Sequence, residues 1–223
     1  MTRGEFDDTF SLYQLSELIE QSSSKRKVRE LLQTFPCTRN LDLQDFLHKK
    51  ALIFEKHLRS RTYLYIDNET KTVAAYFTVA ISTLHTDGIS REVIKMLDGY
   101  QDDTKSIPCF LIGQLGKSDQ YQATKIGEYI LEDAIETIDD LHYAVGGRFI
   151  LLDAVNIPKV IEFYQDSLFF PIEETSYDKE ASLSRRILWT IYDYTIGFLF
   201  PRKQNLKPES IKMIRPYFEE LEQ

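Results

Sequence analysis

The stretch IPCFLIGQLGKSDQYQATKIGEYILEDAI, residues 107–135, reads as a strand, a short loop and a long helix whose first turn falls near Lys125 to Gly127. Backbone amides at a helix start lack partners within the helix and carry the positive end of its dipole, so this junction suits a diphosphate. Every strand-to-helix junction shares some of that geometry, so a second signal is needed. Other chemistries find little purchase. The chain has no G-x-S-x-G elbow, no P-loop and no H-E-x-x-H pair, and neither Cys37 nor Cys109 sits in a nucleophile motif. Asp139 and Asp140 point different ways on a helix, and Asp102 and Asp103 read as a solvated loop pair. His85 and His142 are bases by chemistry alone, and a helix C-terminus is enough to explain an imidazole at 142.

The elements around this junction alternate. Leu12 to Ile19 and Lys25 to Leu32 read as two short amphipathic helices separated by QSSSK, and together they make an N-terminal helical arm over residues 1–40. Within it, Lys25, Arg26, Lys27 and Arg29 read as a solvated face, with a partner or RNA contact as the alternative. A helix carrying Leu43, Leu47, Phe54 and Leu58 follows, with Asp42 placed to cap it. Thr62 to Ile66 and Val73 to Ile81, joined by DNETK, predict an antiparallel hairpin. After a helix that Ser90 caps come a strand at Ile107 to Leu115, the helix Lys125 to Val145 ended by Gly146 and Gly147, and a strand at Arg148 to Ala154. In that long helix Ile126, Ile130, Ala134, Ile138 and Leu141 hold the apolar face, and Glu132, Asp133, Glu136 and Asp140 the polar one. Pro158 to Gln165 reads as a helix, Phe169 to Ile172 as the start of a strand, SRRILWTIYDYTIGFLF as a long buried strand or a helix, with strand favoured, and Pro208 to Glu222 as a closing helix within a helical tail, 201–223.

The 223-residue chain has 43% hydrophobic and 28% charged residues, enough apolar material for one sizeable α/β core. A net charge of −8 argues against broad adhesion to nucleic acid or an anionic membrane and leaves room for a local basic patch. Two cysteines do not make a zinc site or a secreted framework, no apolar run approaches the roughly 20 residues that span a bilayer, and the N-terminus has no signal-peptide pattern, so the cytoplasm is the expected compartment.

The second signal is a resemblance. Gln122-Ala123-Thr124-Lys125-Ile126-Gly127 resembles the acetyl-CoA-binding loop of the GNAT acetyltransferases, Gln/Arg-x-x-Gly-x-Gly/Ala, with Lys125 in place of the middle glycine. LIGQLGKS, containing Leu115, Gly116 and Lys117, is similar to the fourth strand of that family, whose backbone holds the pantetheine arm. RFILLDAVNIPKVIEFYQDSLFFPI resembles the fifth strand, a helix and the sixth strand. In it Asn156 and Tyr164 stand where many members have a cofactor-contacting polar residue and a Tyr near the sulfur. Leu168 replaces the glycine of Tyr-x-x-x-Gly-Phe, while Phe169 matches. The resemblance covers roughly residues 41–195 and implies a central mixed sheet of about six or seven strands flanked by helices, within a catalytic domain spanning 41–200.

What the resemblance implies is acetyl transfer from acetyl-CoA to a primary amine. The amine attacks the thioester directly, amides near Leu115 and Gly116 polarise the carbonyl, and Tyr164 protonates the leaving thiolate. Gln114 cannot serve as base, so water or the deprotonated fraction of the amine fills that role. Alternatives are a GNAT-type toxin that acetylates aminoacyl-tRNA, which LDAVNIPKVIEFY also resembles, and a noncatalytic CoA-binding or interaction module. Expected partners are acetyl-CoA and an amine-bearing acceptor, with a homo-oligomer compatible and no membrane.

Overall fold

A computed structural model describes residues 1–22, 24–121, 125–172 and 210–217. In chain order the elements are α1 (Arg3–Thr9), β1 (Phe10–Gln14), α2 (Leu15–Gln21), α3 (Lys25–Leu32) and α4 (Leu41–Asp45). A π-helical turn (Phe46–Lys50) joins α4 to α5 (Ala51–Lys56). There follow β2 (Arg61–Asp67), β3 (Val73–His85), α6 (Arg91–Asp98), β4 (Ser106–Lys117), α7 (Ile126–Val145), β5 (Phe149–Val155), α8 (Pro158–Asp166), β6 (Phe170–Pro171) and β7 (Ser210–Pro216). Among the described residues the strands form one seven-stranded mixed sheet in the order β1-β2-β3-β4-β5-β7-β6. β1 with β2, β2 with β3, and β7 with both β5 and β6 are antiparallel, while β4 and β5 are parallel.

The chain divides into two compact units, Met1–Ile81 with Ile112–Gly146, and Ser82–Leu111 with Gly147–Gln223. In the first, β3 is buried continuously from Val73 to Val79, as an apolar run covered on both faces must be. One side of its core gathers Leu15, Val28, Leu32, Phe35, Leu47, Leu64 and Tyr76. Each fully buried Leu or Phe of this kind contributes about 1.5–3 kcal/mol. On the other side Tyr65 of β2 donates to Asp133 of α7, and the Arg3 guanidinium grips the same carboxylate at 2.7 and 3.0 Å. Phe6 lies 5.1–5.2 Å from the rings of Phe10, Tyr65 and Tyr129, so α1 is pinned by packing as well as charge. In the second unit Leu84, Ile94, Leu97, Ile107, Phe149, Leu151 and Ile214 form the core. Arg148 donates to the Leu97 carbonyl at 2.9 Å and so finishes α6 beside Gly99, whose φ is +82°.

The hairpin, the Ser90 cap, β4, α7, β5 and α8 lie where the pattern predicts them. Four readings need correction. Leu12 is in a strand, because β1 exchanges edge hydrogen bonds with β2 from Phe10↔Asp67 to Gln14↔Tyr63, and a short isolated helix has no such reward. The arm is therefore part of the sheet as well as helical. The closing segment is strand β7 from Ser210 to Pro216, paired with β5 from Val155↔Ser210 to Phe149↔Pro216, and Ile211 and Ile214 suit that pleat better than a lone helix. Asn40, not Asp42, caps α4: its side chain accepts from the Asp42 amide at 3.1 Å. On α7, Asp133 is buried in its ion pair while Leu141 is exposed, the reverse of their assigned faces. The stretch 184–200 lies outside the described residues.

Candidate functional site

The register of β4 with β5 pairs Phe110 with Ile150 and Leu111 with Leu151, and β4 then continues to Lys117. In that continuation Leu115 is half-buried and Gly116 is buried. A Cβ at 116 would come within 3.0 Å of the Tyr76 ring and 3.3 Å of Phe35, so glycine lets the strand close onto the aromatic core. Lys117 is half-buried, and burial, followed by the nearby Arg39 charge, holds its ammonium below the ordinary lysine value.

Beyond β4 the chain is stitched down residue by residue. The Ser118 amide donates to the Ala74 carbonyl at 2.8 Å. Asp119 accepts from the Thr38 amide at 2.6 Å and its hydroxyl at 2.7 Å, bonds that lower the Asp119 carboxyl. Tyr121 donates to Asp67 at 2.8 Å, and the other oxygen of Asp67 takes the Glu69 and Thr70 amides that close the β2–β3 turn. The expected loop residues Gln122, Ala123 and Thr124 lie outside the described residues. The chain resumes at Lys125, the exposed N-cap of α7, which makes no side-chain cap hydrogen bond. Ile126 behind it is fully buried and anchors the first turn, with Gly127 half-buried beside it. α3, α4 and α6, by contrast, begin with Ser24, Asn40 and Ser90, each accepting from its own helix. α7, a helix of 20 residues, receives no side-chain hydrogen bond from its own N-cap, and neither do α2, α5 and α8.

The remaining expected residues belong to the second unit. Asn156 follows β5 and is half-buried; Pro158 then starts α8 at the position where its missing N–H costs nothing. Tyr164 lies near the end of α8, with its ring 5.0 Å from Phe163 and 5.9 Å from Phe169. The Phe169 amide donates to the Tyr164 carbonyl at 3.0 Å and the Leu168 amide to the Gln165 carbonyl at 2.9 Å, the two bonds of a Schellman motif. Leu168 supplies the left-handed residue this motif requires, with φ +64°. The turn that a glycine would make is therefore made by leucine. Burial pushes the Tyr164 phenol up to about 12, so the hydroxyl is a proton donor at neutral pH.

The structure thus places Leu115, Gly116, Lys117, Lys125, Ile126 and Gly127 along one strand-to-helix connection, and Asn156 and Tyr164 along a strand and its following helix. His85 ends β3 and is exposed, and His142 lies in the last turn of α7. Both thiols are raised by burial, Cys109 to about 12, which suits packing rather than attack. Sequence reasoning missed the Arg3–Asp133–Tyr65 network; an acid one residue from the apolar stripe of α7 was the available signal. Among the described residues no group of His, Cys, Asp and Glu could hold a metal, and no helix is long and apolar enough to cross a membrane.

No family model and no curated protein matches the sequence. Solved structures do match. The chain is similar to a bacterial toxin at TM-score 0.60 and 17% identity, over 93% of this chain and 89% of that one. It is also similar to a mutant of the toxin AtaT bound to the C-terminus of the antitoxin AtaR and acetyl-CoA, at TM-score 0.58 and 16% identity over 94% of both chains. AtaT complexed with acetyl-methionyl-tRNAfMet matches at TM-score 0.58 and 19% identity, over 81% of this chain and 99% of that one. At such identities the likeness is one of fold.

Proposed function

Because the chain has the GNAT fold, we propose that it is an acetyl-CoA-dependent N-acetyltransferase acting on a primary amine. The observation that carries this reading is Tyr164, a phenol that is protonated at neutral pH and whose backbone carbonyl closes the Schellman turn of α8. In the proposed mechanism the α7 amides from Lys125 to Gly127, with the loop Gln122 to Thr124, hold the diphosphate of the cofactor. The strand Leu115 to Lys117 lines its pantetheine arm, and Asn156 adds a polar contact. Bound there, acetyl-CoA supplies an activated thioester. The amides near Leu115 and Gly116 receive the developing oxyanion, and Tyr164 holds the proton that the departing sulfur takes. Direct attack by the neutral amine would need no covalent intermediate on the protein; the proton that the nitrogen sheds as the amide forms would pass to water, from which the Tyr164 phenolate is reprotonated.

A second reading names the acceptor: the amine of an aminoacyl-tRNA. Its support is that a toxin of this fold is solved with acetyl-methionyl-tRNAfMet, together with a segregated positive charge considered below. Calorimetry with acetyl-CoA tests the common premise, and absence of binding leaves only a noncatalytic module. Transfer of labelled acetyl from acetyl-CoA to charged tRNA, against polyamines, free amino acids and peptides, then separates the acceptors. Label on tRNA that disappears after deacylation supports the second reading, and label on small amines alone removes it.

A further inference from the structure

The net charge of −8 conceals a segregation. Residues 24–61 contain ten Lys and Arg against four Asp and Glu, a balance of +6, so the rest of the chain stands at −14. These residues build α3 and the continuous helix α4, π-helical turn and α5, which lie side by side, with Gln33 Nε2 donating to the His48 carbonyl at 3.2 Å. Three of the four acids are already engaged: Glu30 with Arg26 at 2.7 Å, Asp45 with Lys49 at 2.8 Å, and the buried Glu55 with Arg61 at 2.6 Å. Lys25, Lys27 and Arg29 of α3 are exposed, as are Arg39, Lys50, Lys56 and Arg59; among the described residues none of these seven forms an ion pair within 4.0 Å, although Arg39 acts at longer range on Asp119 and Lys50 on Asp45. Glu17 and Glu20 of the adjoining α2 lower the balance of the helical layer only to +4.

A surface of this kind repels itself unless something anionic meets it. A single carboxylate or diphosphate would engage two or three of these cations, whereas a sugar–phosphate backbone presents a charge at every residue over the length of both helices. Ammonium and guanidinium groups without interleaved exposed aromatics suit phosphates rather than stacked single-stranded bases. We propose that α3 and the helix Leu41–Lys56, with Arg59 beyond it, form a docking surface for the backbone of duplex RNA. This rests on the second reading above and gives it a place on the molecule: the surface holds the stem while the amine at its end is acetylated.

The test uses the full chain and a fluorescein-labelled 20-base-pair RNA duplex, followed by anisotropy from 50 to 300 mM salt. Two variants are compared with the parent, K25Q/K27Q/R29Q and K50Q/K56Q/R59Q, with circular dichroism and Tm establishing that each is folded. The proposal expects salt-dependent binding by the parent. Each variant should weaken it about tenfold or more and reduce the log–log salt slope by roughly 2, at about 0.7–0.9 per lost phosphate contact. Acetyl-CoA affinity by calorimetry should stay at the parent value in both. Parent-like RNA binding by both folded variants overturns the proposal, as does tighter binding of a matching DNA duplex, or capture of poly-glutamate in preference to RNA. Loss of acetyl-CoA binding in the parent would instead strike the enzymatic reading, which the anisotropy arm does not touch.

Discussion

At the start of α7 the N-cap Lys125 offers its helix no side-chain acceptor, whereas at the end of α8 the carbonyls of Tyr164 and Gln165 are taken by the Phe169 and Leu168 amides. One terminus has no cap from its own N-cap side chain, and the other closes on itself at the cost of a leucine with φ +64°. Under the proposed function the difference would follow from what each end is asked to do. A phosphate is held by groups the protein has not already used, so economy of capping is the preparation. A proton donor works through position, so the turn behind it is over-determined.

The largest expected effect tests the closed end. Tyr164→Phe keeps the ring, its contacts with Phe163 and Phe169 and the turn, and removes only the hydroxyl. Turnover should fall roughly 10²-fold or more while acetyl-CoA affinity and Tm stay near the parent values. The pH profile sharpens this. With the folded phenol at about 12, the donor form is fully present at neutral pH and is lost only as pH rises through that value, so no falling limb assignable to this group should occur below about pH 10. Parent-like turnover in Tyr164→Phe would make the residue packing, and the contrast between the two termini would lose its chemical meaning.

How far these termini could be read in advance also differs. β4, α7, β5 and α8 were legible because each is bounded by local signals, such as Gly146 past α7 and Pro158 at the head of α8. β1 and β7 were not, since Phe10–Gln14 and Ser210–Pro216 become strands only through partners distant in sequence, Arg61–Asp67 and Phe149–Val155. The roles proposed for Tyr164 and the Lys125 junction come from family resemblance. The αL conformation of Leu168 was not legible from the residue itself, since leucine rarely adopts it and the family pattern has glycine there. Charge misled in a different way: a sum over the chain erased the surplus of residues 24–61.

An effect of intermediate size is expected at the open end. If the Lys125 ammonium supports the diphosphate from its exposed N-cap position, Lys125→Ala should weaken acetyl-CoA about fivefold in calorimetry, the scale of one solvent-exposed charge contact. Lys125→Ser removes the same charge and should weaken affinity to a similar degree with Tm little changed, because residue 125 has helical backbone angles (φ −92°, ψ −3°) and a hydroxyl there is not placed to cap α7. Tighter binding by Lys125→Gly would mean that the lysine obstructs the site, and parent affinity in all three variants would remove residue 125 from it.

The smallest expected effect returns to Leu168, where strain and position can be separated. A non-glycine residue in the left-handed region costs about 1–2 kcal/mol, and glycine gives back about 0.5–1 kcal/mol through its larger unfolded-state entropy. The Leu168 side chain is 60% exposed and forfeits little burial when deleted. Leu168→Gly should therefore stabilise by about 0.5 kcal/mol, a rise in Tm of roughly 1–2 °C, with turnover unchanged because the same turn forms behind Tyr164. Leu168→Val places a β-branched side chain at the same φ and should move both readings the other way, lowering Tm and reducing turnover several-fold as the turn that holds Tyr164 loosens. A Gly variant that melts below the parent would show that leucine is retained for its contacts. A Val variant that melts lower yet turns over at the parent rate would show that the turn stabilises α8 without positioning its phenol.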